Sequence, residues 1–180
     1  LREGQRLSRA LQALGPSFIK AGQALSTRPD LIGDRLAADL SELQDRLPPF
    51  DSARAKAMVE EQLGAPLVEL FASFEEQPVA AASIAQVHFA VTPDGKEVAV
   101  KILRPEVEKQ FARDIALMRW VAARIEKRLP HLKRLKPRAV VETFATTIAI
   151  ELDLRFEAAA ADELRENTKD DKDFYVPAID

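Results

Sequence analysis

The strongest constraint on this chain is a change of hydrophobic period near Phe71. Before it, leucines recur every three or four residues; after it come short segments rich in β-branched and aromatic side chains, and then helical spacing returns. Leu7, Leu11 and Leu14 mark a first helix that Gly15-Pro16 ends, and Pro16 is well placed to open a second through about Ser26. Arg28-Pro29-Asp30 reads as a break. A third helix is expected over 34–46, with Leu36, Leu40 and Leu43 on one face and Pro48-Pro49 as its stop. Asp51 or Ser52 can cap a fourth over 53–63, which Gly64 ends. Segments 71–74, 86–91 and 97–103 predict a small antiparallel sheet of about three strands, with Pro93-Asp94-Gly95 as a hairpin turn. Pro105 then opens a long helix to about Leu129, striped by Val107, Phe111, Ile115, Met118, Val121 and Ile125. Residues 130–137 read as a linker, 137–167 as one last helix, and the acidic stretch 170–180 as irregular.

Composition narrows the function classes. The 180 residues are 47% apolar and 31% charged, the make-up of a globular domain or of a domain with an extension. The absence of Cys excludes disulfide scaffolds, thiolate zinc sites and cysteine nucleophiles, and two His argue against a His-rich metal site. No run of about 18 apolar residues occurs, and the richest, 140–150, is interrupted by Glu142. The chain opens at Leu1 without a signal-peptide pattern, as an excised fragment would. Its net charge of −3 hides an uneven distribution. Residues 104–138 carry 11 basic against 4 acidic groups, net +7, whereas 139–180 carry 4 against 11, net −7. The basic block could draw phosphates or an anionic membrane surface. Equally, it could pair with the acidic block or form a solvated helix face. With one Trp, one Tyr and no basic patch interleaved with aromatics, nucleic acid is not an expected partner.

Val98-Ala99-Val100-Lys101 ends the last strand with a Lys beside a small-residue loop, as a phosphate-binding sheet requires. His88, at a strand end, reads as structural and His131 as exposed. Treated as one helix, 137–167 has a broad apolar stripe that includes Glu151. A second, narrower strip of Ile150, Leu154 and Ala161 has Glu157 beside it. Such a helix would be sandwiched between the sheet and the helical first half. Glu151 within the stripe needs a partner. Arg155 at i+4 is one, and Lys20 or Gln23, which share a helix face, are the other.

Five ordered blocks over nearly the whole chain resemble the UbiB-like (AarF-type) atypical kinases. They are Gly15-Pro16-Ser17-Phe18-Ile19-Lys20-Ala21-Gly22-Gln23 running on to Leu31, then Leu43-Gln44-Asp45, then 78–88. Lys101-Ile102-Leu103-Arg104-Pro105 follows, and Glu151-Leu152-Asp153 with Glu157-Ala158 completes the set. The resemblance implies an α+β fold: a protein-kinase-like N-lobe with a small antiparallel sheet and long helices, preceded by a helical extension bearing the Lys-x-Gly-Gln motif. The expected division is 1–70 for the extension and 71–180 for the N-lobe with an inserted helix. It also implies ATP-dependent activity supporting ubiquinone biosynthesis, with ATP/ADP and Mg2+ as cofactors. Nucleotide contacts would come from Val79, Ala80, Ala81, Ala82, Ser83, Ile84, Ala85, Gln86, Val87 and Lys101, with Glu157 pairing to Lys101. Lys20, Gly22 and Gln23, with Glu151 and Asp153 of the Glu-x-Asp motif, would occlude protein substrates.

Ordinary kinases place glycines in this loop so that the backbone can approach phosphates with φ > 0. Ala80, Ala81, Ala82 and Ala85 keep the small size and lose that freedom, which predicts a stiffer loop. Two departures stand out: Glu106 where a Gly often follows Arg-Pro, and Ala160 where an Asn is common. No His-x-Asp or Asp-Phe-Gly follows Glu157. The catalytic and metal-holding residues are therefore expected in a C-lobe outside this chain, which should be inactive alone. Partners implied are an adenine nucleotide and either an anionic membrane surface or quinone-biosynthesis proteins, at the cytoplasmic side and peripheral to the membrane. The competing reading is a non-catalytic helical module that docks on a partner or a membrane through the basic helix.

Overall fold

A computed structural model describes residues 2–43 and 47–179. The chain forms two compact units, Leu1–Ala116 and Leu117–Asp180. The expected Leu43-Gln44-Asp45 block and the end of the third helix fall partly on 44–46, outside the described residues.

The first unit opens with helices α1 (Glu3–Leu14) and α2 (Pro16–Ser26), separated where Gly15 takes a φ of 106° and Pro16 starts the next helix. Pro29 does not only break the chain: it nucleates a one-turn helix, α3 (Pro29–Ile32), which Gly33 ends. The third expected helix is shorter than its leucine spacing suggests, α4 running Asp34–Ser41. Ile19, Ala37, Leu40 and Leu43 are buried in this helical cluster. Its close packing depends on glycine, since a Cβ on Gly22 would lie 2.5 Å from Leu43 Cδ1 and 2.8 Å from Leu11 Cδ1. Helix α5 (Ser52–Leu63) forms as its caps dictate. Asp51 Oδ1 accepts from the Arg54 amide at 2.9 Å, and Gly64 closes it in the left-handed region. A short α6 (Leu67–Leu70) follows, its first amide donating to Glu60 Oε1 at 2.7 Å.

The sheet is built on β3 (Ala85–Val91), paired antiparallel along its length with β4 (Glu97–Leu103). On its other edge lie two stubs, β1 (Ser73–Phe74) and β2 (Ala80–Ala81), each bonded to one end of β3. The expected three strands thus become four. The Glu75 and Val79 amides still bond to Phe89 and Val87 carbonyls, so the stubs are one edge interrupted at 76–78, where Pro78 supplies no amide. In the β3–β4 turn, Gly95 takes a φ of 86° as the hairpin motif requires. One sheet face packs on α5: Ala55, Val59 and Ile102 form a buried core with Phe50, Met58, Leu70, Phe71, Phe74 and Val100 around it.

Helix α7 (Val107–Arg128) begins after Glu106, whose φ of 56° is a left-handed conformation for a residue with a side chain. Val107, Phe111 and Ile115 are buried as expected, but Val121 is 40% exposed and Ala122 takes its place inside. The drift follows from 3.6 residues per turn, which favours 122 over 121 after Met118.

In the second unit the linker is a 3₁₀ turn, Pro130–Leu135. The single last helix does not exist. Helix α8 (Pro137–Glu151) ends, and α9 (Leu154–Asn167) starts from Asp153, which is extended and caps the new helix by accepting from the Arg155 amide at 3.1 Å. A helical wheel drawn through 137–167 therefore does not relate Glu151 to Glu157. Part of the basic–acidic complementarity is real, since Arg119 binds Glu142 through two hydrogen bonds of 2.9 and 2.7 Å. Among the described residues, 168–179 have no regular structure.

Candidate functional site

Strand alternation sorts the sheet residues by face. Across the register, Ala80 lies opposite Val87 and Val87 opposite Lys101, so the three form one row on the face away from α5. Phe89 and Ala99 form the next pair on that side. Lys101, Ala80 and Ala99 are exposed, Val87 is half-buried, and Phe89 is 48% exposed. A cation thus stands beside an open apolar strip. That donor set suits a ligand with a flat apolar ring and an anionic tail. Phe89 belongs to this face although the sequence reading passed over it; its period-2 relation to Val87 was the available signal.

The alanine segment is half strand and half turn. Ala80 and Ala81 pair with β3, and the Ala82 amide donates to the Ala85 carbonyl at 2.8 Å across Ser83 and Ile84. Among the described residues only Glu106 and Lys136 combine a side chain with positive φ, so no alanine here is left-handed. Val79 is exposed and Ala81 and Ala82 half-buried, whereas Ser83, Ile84 and Ala85 are buried.

Gln86 is buried too, on the opposite face from Lys101. Its Oε1 accepts from the Phe50 amide at 3.0 Å and its Nε2 lies 2.9 Å from His88 Nε2. His88 is buried, stacked on Phe74 with ring centroids 4.9 Å apart, and its Nδ1 lies 2.8 Å from the Glu75 carbonyl. Carbonyls only accept, so Nδ1 carries the proton and Nε2 accepts from the Gln86 amide. The side chain of Gln86 thus ties Phe50 and His88 to the sheet. Alternation forces this, because neighbours of Val87 point the other way.

Lys20, Gly22 and Gln23 sit together on α2, with Gly22 buried and the side-chain Nε2 of Gln23 donating to the Leu43 carbonyl at 3.3 Å. Glu151 ends α8, Asp153 caps α9, and Glu157 lies exposed in the first turn of α9. Lys101 belongs to the first unit and Glu157 to the second. Arg155 does not serve Glu151: its guanidinium binds both oxygens of Asp153, at 2.8 and 2.7 Å. Hydrogen bonds from that guanidinium hold the Asp153 carboxyl below the usual carboxylate range. Among the described residues, no group of three or more His, Asp or Glu could hold a metal ion, and no helix is long and apolar enough to cross a membrane.

Residues 42–180 match the model of the ABC1 atypical kinase-like domain. The chain is 49% identical over 180 residues to a probable protein kinase UbiB of Marinobacter nauticus, covering 100% of this chain and 33% of that one. To the counterpart in Cellvibrio japonicus it is 47% identical over 179 residues, covering 99% and 32%. It therefore spans about a third of the length of these relatives. Among solved structures, the complex of Rv3197 with erythromycin from Mycobacterium tuberculosis superposes with a TM-score of 0.56 at 34% identity, over 87% of this chain and 40% of that one. The kinase-like arrangement of helices and small antiparallel sheet and the matched residues agree: this chain belongs to the ABC1 atypical kinase-like family.

Proposed function

We propose that this chain supplies the nucleotide-facing wall of an ATP-dependent, kinase-like transferase or ATPase that supports isoprenoid-quinone biosynthesis. The observation that carries the reading is the row Ala80–Val87–Lys101 on an exposed sheet face beside a closed alanine turn. In this reading the ring of an adenine nucleotide lies on the apolar strip of Val87, Phe89 and Ala99. The Lys101 ammonium donates to phosphate oxygens, and Glu157 orients it by ion pairing. Ala80, Ala81 and Ala82 cover the nucleotide, while buried Ser83, Ile84 and Ala85 act through their backbone. Mg2+, when bound, neutralises phosphate charge, and its ligands belong to parts of the longer relatives that this chain does not span. Lys20 and Gln23, with Glu151 and Asp153, would keep protein substrates out.

The test is titration of ATP and ADP, each with Mg2+, into the full-length protein and its Lys101→Met variant, alongside ATP hydrolysis. Loss of a charge-assisted contact to phosphate predicts affinity weaker by about tenfold or more and hydrolysis reduced with it. Unchanged affinity and hydrolysis would refute the reading and favour the helical docking module.

One surface supports membrane association as a second reading. On α7, Leu117, Trp120 and Val121 are exposed, and the Arg124 guanidinium lies 4.3 Å from the Trp120 ring, within the block of net charge +7. Such a strip suits an anionic lipid surface, so sedimentation with anionic vesicles should weaken as salt rises. Absent or salt-insensitive binding excludes it.

A further inference from the structure

Arg104 grips two segments that are far apart in sequence. Its Nε donates to the Ala82 carbonyl at 2.8 Å, and its Nη2 donates to the Pro48 carbonyl at 2.9 Å. The same guanidinium lies 5.9 Å from the centre of the Phe50 ring. Its backbone amide meets the turn as well, donating to the Ile84 carbonyl at 2.8 Å. From the other side Gln86 holds Phe50, accepting from its amide at 3.0 Å and donating to its carbonyl at 3.5 Å. The irregular segment 48–50 is thus fastened to the sheet at both ends of the alanine turn, and Gln86 is itself locked by His88.

These bonds have a direction of effect. The Ala82 carbonyl belongs to the residue whose amide closes the turn onto Ala85. Removing Arg104 frees the Ala82–Ser83 peptide plane to rotate and strips its carbonyl of the guanidinium donor. Only a planar fork can donate in two directions while stacking on an aromatic ring; an ammonium at the same place reaches one carbonyl at a time. Segment 48–50 also follows in sequence the helical cluster that carries Lys20 and Gln23, whose side-chain Nε2 donates to the Leu43 carbonyl. Displacement of segment 48–50 would therefore pull on the alanine turn through Pro48, Phe50 and Arg104.

We propose that Arg104 is a positioning residue that makes the shape of the alanine turn, and through it nucleotide affinity, depend on the position of segment 48–50. The affinity part rests on the nucleotide reading above; the control of turn shape does not. The experiment compares wild type with Arg104→Lys, Arg104→Gln and Phe50→Ala in the full-length protein. It reads amide hydrogen exchange over 80–87 without nucleotide, and the dissociation constants of ATP and ADP with Mg2+.

Both Arg104 variants should speed exchange of the Ala82 amide by about tenfold or more and weaken nucleotide binding by about tenfold, the scale of one lost charge-assisted hydrogen bond. Phe50→Ala should shift both readouts the same way, and combined with Arg104→Gln it should add less than its separate effect. Wild-type exchange and affinity in a folded Arg104→Lys protein would overturn the proposal, as would full additivity of Phe50→Ala with Arg104→Gln. Should Arg104→Gln not fold, Arg104→Lys decides alone. Faster turn exchange in the variants of a protein that binds no nucleotide would uphold control of the turn and refute the nucleotide reading instead.

Discussion

Replacing Gly22 by Ala adds one methyl group at the tightest approach in the helical cluster. Built on the backbone, that carbon lies 2.5 Å from Leu43 Cδ1 and 2.8 Å from Leu11 Cδ1. Carbon atoms settle at about 3.5–4.0 Å, so two leucines on opposite sides must each retreat by about 1 Å. Leu43 is buried and has little room to do so. Overpacking of this kind costs about 1–3 kcal/mol. Against it stands the better helix propensity of Ala, worth about 1 kcal/mol. The net expectation is destabilisation by up to about 2 kcal/mol, a fall in melting temperature of several degrees at about 2–4 °C per kcal/mol. Urea and thermal unfolding of wild type, Gly22→Ala, Leu11→Ala and the double variant measure it. Leu11→Ala removes one of the colliding groups, so the double variant should be more stable than the sum of the single effects by about 0.5 kcal/mol or more. A Gly22→Ala protein more stable than wild type, or strictly additive losses, would refute the packing argument.

Other expectations are as direct. At Glu106, φ is 56°, so Glu106→Gly should melt at a higher temperature than Glu106→Ala, reversing the usual order; both lose the exposed pair with Lys109, leaving backbone strain as the difference. The usual order would show that the left-handed conformation does not persist in solution. At Asp153, Arg155 depresses the carboxyl pKa, so the charge contributes stability above the unfolded value near 4 and loses it as pH falls through the lower folded value. The advantage of wild type over Asp153→Asn in thermal melts should therefore shrink as pH falls below the unfolded value, since Asn keeps the cap but not the charge. An advantage independent of pH would contradict the pairing.

Local signals carried most of the first unit. Asp51 and Gly64 bound α5 because a cap and a left-handed terminator act over a few residues, and Pro93-Asp94-Gly95 turns the hairpin for the same reason. The failures arose where a periodic pattern outran its element. Leu152 and Leu154 continue the apolar spacing of 137–167, yet Asp153 prefers to bond the Arg155 amide and starts a new helix. The leucine row of α4 likewise persists past Ser41 without keeping the backbone helical. Within the candidate site, the row Ala80–Val87–Lys101 follows from alternation alone once the register is known. The same alternation turns the Gln86 side chain toward the α5 side of the sheet. The partners of Arg104 were illegible, since they lie 22 and 56 residues away and are backbone carbonyls, which any sequence provides.

The interruption at Leu152–Asp153 gives α9 a fulcrum of its own. Glu157 stands about 5 Å along the axis from that pivot and Asn167 about 20 Å, at 1.5 Å rise per residue. A swing of about 20° would carry the distal end through about 7 Å while moving the backbone at Glu157 by only about 2 Å. Were α9 to pivot there, it would act as a lever with the Glu157 carboxylate on its short arm. A pull on its far end would then reach Glu157 with mechanical advantage and leave Glu151, on the other side of the joint, out of the motion.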